Sequence, residues 1–406
     1  MSSAEVEPSQ QTSRVLDELL ARDLEDLQAA GLGRRLFTVD GPQGTHVERD
    51  GCRLINFSSN DYLGLASHPA LMEAAADESR RSGFGAGASR LVSGTLRAHA
   101  DLEDTIAAFK CTPAALAFTS GFAAASGAVP AICGSRDVVI LDKLSHACLI
   151  DAARASGADL RVFPHNDCSR LESHLKWARA KRSRGRILII AEAVYSMDGD
   201  TCPLEEIVAL KERYGAWLLL DEAHATGVIG AGGRGLAHDL GLGSQVEIRM
   251  GTLGKAVGAH GGFIAGSRVL RDYLIQRARS FVFSTAPPPP LAAAAKKGIE
   301  LLQSEEGDRR RSRLRENLRL LANVLRVPAT GSAILPIIIG AESQAMEASR
   351  RLLDAGFLVP AIRYPTVAKG SARLRFTVSA NHSREEIEAL GKIDFTQPGD
   401  MIEDAP

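Results

Sequence analysis

Two stretches, WLLLDEAHATGVIG (217–230) and MGTLGKAVGAHGG (250–262), decide how this chain is read. In the first, an apolar run delivers Asp221 and then His224. In the second, Thr252 and Lys255 lie among Gly251, Gly254 and Gly258. A short, continuously apolar run reads as a strand covered on both faces, as in a parallel sheet. An acid at the end of such a strand, followed by a lysine in a glycine-rich turn, fits a bound organic cation beside a reactive amine. That pairing suits an aldehyde cofactor with a pyridine ring, pyridoxal 5'-phosphate (PLP).

The same alternation extends outward. Apolar strand candidates are AALAF (114–118), DVVIL (137–141), RVF (161–163), RILIIAE (186–192), WLLLD (217–221) and VEIRM (246–250). Helix-like stretches separate them, including PLEEIVALKERYG with Pro203 at its start. The pattern predicts an α/β fold with a mainly parallel sheet between helices. Ligands of such sheets bind beyond the carboxyl ends of the strands, where Glu192, Asp221 and the turn after Met250 fall.

Ahead of this region, Ser13 to Ala30 reads as an amphipathic helix, after an unstructured start over residues 1–12. The segment GPQGTHVERDGCRLINFSS (41–59) reads as a hairpin with Asp50-Gly51 at its tip. STAPPPPLAAAAKK (284–297) marks a break, because prolines cannot continue a strand or a helix interior. Beyond it, a long helix and the runs ILPIIIG, LVPAIR and ARLRFTVSA suggest a smaller α+β domain. The expected division is an N-terminal segment over 1–60, a large domain over 61–290, a small domain over 291–392 and a flexible tail over 393–406.

The 406 residues carry a formal net charge of −1, so nothing points to nucleic acid or an anionic membrane. The basic run DRRRSRLRENLR (308–319) has Leu314, Leu318 and Leu321 at helical spacing and reads as a solvated helix face. The six cysteines form no C-x-x-C pair and no zinc spacing, so no metal is expected, and reduced thiols of a cytoplasmic protein are. No run reaches the ~18 apolar residues of a membrane helix.

Each candidate residue has a plain alternative. Lys255 alone could be a surface lysine; burial would lower its proton affinity and make it a nucleophile and base. Asp221 could be a helix N-cap or face a pyridinium nitrogen. His224 could be a turn residue or bond a phenolic oxygen. Ser120-Gly121-Phe122 opens a helix, where free N–H groups attract phosphate, although many strand-to-helix turns look alike. Thr252 could add a hydroxyl to that phosphate. His146, past a strand end, could stack on a ring or start a helix. Ser196 could meet the cofactor's polar edge.

SSNDYLGL (58–65), GFGAGASRLVSGT (83–95), DKLSHACL (142–149), EAVYSMDGD (192–200), LLLDEAHATGVIG and GTLGK together resemble the α-oxoamine synthases, PLP enzymes of fold type I. The resemblance runs from about Arg34 to about residue 390. It implies a seven-stranded type of sheet, a homodimer with the site at the subunit interface, and an acyltransferase reaction. AIRYPTV (361–367) and FSSNDYLGL are most similar to the biotin-biosynthesis branch, which condenses L-alanine with a pimeloyl thioester on acyl carrier protein or CoA and releases carbon dioxide. By the same resemblance Lys255 bonds the cofactor, Asp221 faces its ring nitrogen, His146 stacks over the ring and His224 meets its phenolic oxygen. Gly121, Phe122, Ser196 and Thr252 complete the cofactor site. Asn60, Arg34, Arg363 and Thr366 fall to the substrate, with Arg35 leaving the register of Arg34 open. Ala88 stands where the family pattern has a glycine, which would narrow that loop. The rival readings are a sister synthase using glycine or serine, a PLP aminotransferase, and a binding protein without activity.

Overall fold

The computed structural model describes residues 8–181 and 185–395. Residues 1–7, 182–184 and 396–406 lie outside the described residues, and with them all but the first three residues of the expected tail over 393–406. A helix spans Pro8–Ala29, so it starts inside the stretch expected to be unstructured. Proline suits a first turn, since its fixed φ is helical and its missing N–H has no partner there anyway.

Thirteen strands are described: β1 His46–Arg49, β2 Cys52–Asn56, β3 Ala114–Phe118, β4 Val138–Asp142, β5 Asp159–Phe163, β6 Ile187–Glu192, β7 Trp217–Asp221, β8 Ile248–Thr252, β9 Gly262–Gly266, β10 Ile334–Gly340, β11 Phe357–Leu358, β12 Ala361–Ile362 and β13 Ala372–Thr377. β1 and β2 form the expected hairpin. Asp50 and Gly51 at its tip both take positive φ (55° and 75°), as a two-residue turn matched to strand twist requires.

The central sheet runs β3-β9-β8-β7-β6-β4-β5. All neighbours pair parallel except β9, which is antiparallel to both β3 and β8. The sequence reading missed β9, because GFIAG lacks the β-branched run that announces a strand. Its first glycine has a packing reason: a Cβ on Gly262 would lie 2.4 Å from the Ser120 carbonyl oxygen. β3, β4, β6 and β9 are buried along their whole length. Helices Gly121–Ile132, Ala147–Ala155 and Arg268–Arg277 cover one face. Arg97–Phe109, Cys168–Lys181, Leu204–Tyr214 and Pro289–Leu302 cover the other. Truncating a fully buried strand residue such as Ile189 to alanine would cost about 2–5 kcal/mol.

The proline run corrects one expectation. It ends the irregular segment, but Pro289 and Pro290 are the first residues of a helix. LVPAIR is likewise not one strand. Pro360 parts β11, which joins β2 in parallel, from β12, which joins β13. The third sheet has the order β10-β13-β12. Helix Glu305–Leu325 carries the basic run, yet its face is not wholly solvated: Arg311 is buried and donates to the Leu302 carbonyl (2.8 Å).

Candidate active site

Parallel strands deliver their last residues to one edge of the sheet. Glu192 of β6 and Asp221 of β7 are register partners there, and both are buried. One Asp221 oxygen accepts from the Ala223 N–H (2.9 Å); the residue thus caps a turn rather than the helix start the sequence allowed, because turns and no helix follow it. Glu192 accepts the backbone N–H of His146.

The lysine turn is pressed against this edge. Gly258, at φ 76°, closes it by donating to the Lys255 carbonyl (2.8 Å). A Cβ on Gly258 would meet the Leu65 backbone at 2.5 Å, so the turn abuts the 58–65 segment with no room for a side chain. A hydrogen-bonded chain crosses that seam. Lys255 Nζ lies 2.8 Å from His224 Nε2, and His224 Nδ1 lies 2.6 Å from the Tyr62 hydroxyl. Tyr62 donates to Asn60 Oδ1 (3.0 Å). Arg375 donates to the same oxygen (3.3 Å) and to the Ser196 carbonyl (2.6 Å). Asn60 Oδ1 can only accept, which gives the chain its polarity: His224 Nδ1–H points to Tyr62, and Lys255 donates to Nε2.

Burial sets the electrostatics. It lowers the Lys255 ammonium's pKa, against the pull of Asp221 and Glu192. It holds His224 well below the usual histidine range, with Lys255 adding to the effect. It raises Asp221 despite Lys255. Glu192 is pushed up to about 8 by burial and then by Asp221. Two carboxyl groups thus share a buried edge with one amine whose charge is itself disfavoured, and ionising both would call for a further cation.

The phosphate-site candidates also meet. A Cβ on Gly121 would lie 3.7 Å from that of Thr252. Ser120 caps the helix Gly121–Ile132 by accepting from Ala123 N (3.0 Å). The Thr252 hydroxyl donates to the Gly261 carbonyl (3.0 Å) and accepts from Gly254 N (3.2 Å). Phe122 is half exposed. His146 is exposed and caps its helix through Nδ1, which accepts from Cys148 N (3.2 Å). Ser196 is buried.

Arg363 stands apart from the lysine chain. Its Nη2 donates to the Gly33 carbonyl (2.8 Å), beside exposed Arg34. Arg35 lies by the Phe37 ring, 5.8 Å from its centroid. Thr366 is exposed and bonds the Arg363 carbonyl through its backbone N–H (3.0 Å). A Cβ on Gly94 would lie 2.1 Å from the carbonyl oxygen of Ala88. The Ala88 carbonyl accepts from Ala286 N (3.0 Å), and open space surrounds Gly85 and Gly87.

Three site residues escaped the sequence reading. Glu192 was placed at a strand end but given no role; its pattern matches Asp221. Tyr62 sits inside a quoted motif, yet its contact with His224 spans 162 positions. Arg375 gave the clearest missed signal, an arginine within the apolar strand ARLRFT.

The fold and the strand-end lysine define a class: the aminotransferase class I and II family matches residues 53–392. Among solved structures, the serine palmitoyltransferase of Sphingomonas wittichii superposes with a TM-score of 0.86 at 32% identity, covering 93% of this chain and 95% of that one. A serine palmitoyltransferase from S. paucimobilis solved with a PLP–myriocin aldimine gives 0.86 at 28%, covering 93% and 96%. The 8-amino-7-oxononanoate synthase of Francisella tularensis gives 0.70 at 28%, covering 84% and 97%. Curated relatives are nearer in sequence. The 8-amino-7-oxononanoate synthase of Methylobacillus flagellatus is 45% identical over 95% of this chain and 97% of its own length. That of Anaeromyxobacter sp. is 47% identical over 92% and 94%. The chain belongs to the 8-amino-7-oxononanoate synthase family.

Proposed function

We propose that this chain binds PLP at Lys255 and condenses L-alanine with a pimeloyl thioester, releasing carbon dioxide and the thiol carrier and forming 8-amino-7-oxononanoate. The observation that carries the reading is the buried edge itself: Glu192 and Asp221 as register partners, with Lys255 held 2.8 Å from a neutral His224. A protonated pyridine nitrogen supplies the further cation that ionising both carboxyl groups calls for, so the residues fit the group. Bound there, PLP contributes an aldehyde that exchanges amino groups and a ring that accepts the electron pair freed at the substrate carbon.

The residues divide the remaining work. Asp221 would face the ring nitrogen and keep it protonated. His224 would meet the phenolic oxygen through Nε2, with Tyr62 holding the ring's orientation at Nδ1. His146 would cover the ring, and Gly121, Phe122, Ser196 and Thr252 would line the phosphate and polar edges. Lys255, desolvated and less basic than a free lysine, serves as nucleophile and then as the base that moves the α-proton. Asn60, Arg34, Arg363 and Thr366 would receive the substrates, a guanidinium fork matching a carboxylate.

Exposed apolar side chains support a homodimer. Phe84, Leu91, Val92, Phe122 and Phe283 are each more than half exposed, and Leu16, Leu19, Leu20 and Leu24 form a stripe along the first helix. No described helix is long and apolar enough to cross a membrane. The division at 61–290 and 291–392 stays a proposal that limited proteolysis would test.

The deciding experiment is borohydride reduction of PLP-loaded protein and peptide mapping, followed by product mass with alanine, glycine or serine and pimeloyl-CoA or its carrier-protein thioester. Label on Lys255 and an alanine-derived product are expected. Label elsewhere would refute the lysine assignment, and a glycine or serine product would favour a sister synthase.

A further inference from the structure

Outside the lysine chain, one cluster of titratable side chains is built with unusual completeness. His165 follows β5. Its Nδ1 lies 3.1 and 3.2 Å from the two carboxylate oxygens of Asp142, the last residue of β4, which is fully buried. Its Nε2 lies 2.8 Å from Asp200 Oδ2. Both ring nitrogens therefore face carboxylates. A neutral imidazole has one N–H and would turn a lone pair toward one of them; only the imidazolium donates to both. Asn166 reinforces the arrangement from the same turn. Its backbone N–H donates to Asp142 Oδ2 (2.8 Å), and its amide donates to Asp200 Oδ2 (2.9 Å) and the Thr201 carbonyl (3.2 Å). The buried ring of Tyr195 meets the imidazole edge-on at 4.4 Å.

Asp200 belongs to the turn that carries Ser196. Val194 and Thr201 pair across its base, and Tyr195 N donates to the Asp200 carbonyl (3.0 Å). The opposite side is held by the C-terminal region: Arg373 on Asp198, Arg375 on the Ser196 carbonyl and the Ser332 hydroxyl on the Gly199 carbonyl (2.8 Å). Through Arg375 the turn joins Asn60, Tyr62, His224 and Lys255. On the sheet side, His165 and the neighbouring Asn166 amide reach the turn's Asp200, and of the two only His165 can carry charge.

We propose that His165 is a positioning residue: as a cation clamped between Asp142 and Asp200, it fixes the 194–201 turn, and with it Ser196 and the Arg375 contact, against the strand ends that carry the site. This rests on the reading of Ser196 as a cofactor contact. The clamp acts through geometry and touches neither PLP nor substrate. Asp142 from β4 and Asp200 from the turn are the charged groups facing the imidazole, and together they push its pKa up to about 10 against the opposing effect of burial. An unfolded histidine titrates near ~6.5. The clamp's stabilisation is thus complete below that value and is lost as pH rises toward about 10.

The test uses full-length protein, wild type against His165→Gln and Asp200→Asn. Glutamine keeps a donor but carries no charge, and asparagine removes one of the two carboxylates. Carbon-13 NMR of histidine-labelled apo-protein should find His165 protonated at pH 8, with a lower midpoint in Asp200→Asn. Titration of apo-protein with PLP should give roughly tenfold weaker binding in both variants, about 1.4 kcal/mol. Urea unfolding should lose a one-proton pH slope between pH 7 and 9 in His165→Gln. A neutral His165 at pH 8, or wild-type PLP affinity in both variants, would overturn the clamp. If His165→Gln does not fold, Asp200→Asn alone decides, since it leaves the Asp142 contact in place. A wild-type protein that binds no PLP would instead sink the cofactor reading, and the NMR midpoint would still decide the clamp.

Discussion

Two buried lysines answer to adjacent acids in one motif, and they behave oppositely. Lys110 is fully buried and gives its three protons to Glu222 Oε2, Thr226 Oγ1 and the Arg234 carbonyl, each at 2.9 Å. Lys255 is held by His224, with Asp221 acting on it through space. Burial lowers both pKa values, and the neighbouring acid opposes that in each case. Burial alone therefore does not mark a catalytic lysine. A saturated ammonium is a structural cation; an amine with a replaceable partner is free for chemistry.

Substitution breaks the comparison most sharply. Lys255→Ala should lose turnover by about 10⁴-fold or more, the upper range of a positioned base, and should lose the visible absorbance of bound PLP. Stopped-flow and spectral assays check both. Lys110→Met should instead cost about 3–5 kcal/mol of stability, because Glu222 is left charged and unpaired. Lys110→Met with Glu222→Leu should recover most of that loss in urea melts. Equal stability of the single and double variants would show that the two buried charges do not depend on each other.

Proton linkage sharpens it next. Glu192 in the folded apo-protein holds its proton to about pH 8, whereas an unfolded glutamate releases it near 4.5. The folded state binds the extra proton in that window, so apo-protein stability should fall as pH rises from 4.5 to 8. Glu192→Gln should flatten the fall, and so should saturating PLP if the ring nitrogen supplies the further cation. The smallest effect belongs to Tyr62→Phe. Losing the hydroxyl's two hydrogen bonds, to His224 (2.6 Å) and Asn60 (3.0 Å), each net about 1 kcal/mol, should slow turnover roughly fivefold with the fold intact.

Much of this was legible in the chain. Asp221, His224, Thr252 and Lys255 come from two stretches, and the strands around them were recognisable from unbroken apolar runs. β9 was not, because its glycines are set by close approach, Gly262 to Ser120 and Gly266 to Glu247, rather than by propensity. Of the two plain alternatives, His146 does start its helix as the N-cap, whereas Asp221 caps a turn and no helix follows it.

The sequence by itself determined the local choices: which runs are strands, which turn holds the lysine, which acid ends a strand. Those follow from periodicity and composition within a few residues. Only the tertiary structure decided that Glu192 stands beside Asp221, that Tyr62 reaches His224, that Arg375 joins the chain and that His165 bridges two aspartates. The physical reason is distance along the chain. Desolvation and hydrogen bonding act over a few ångströms, and these partners are tens to hundreds of residues apart until the strands align.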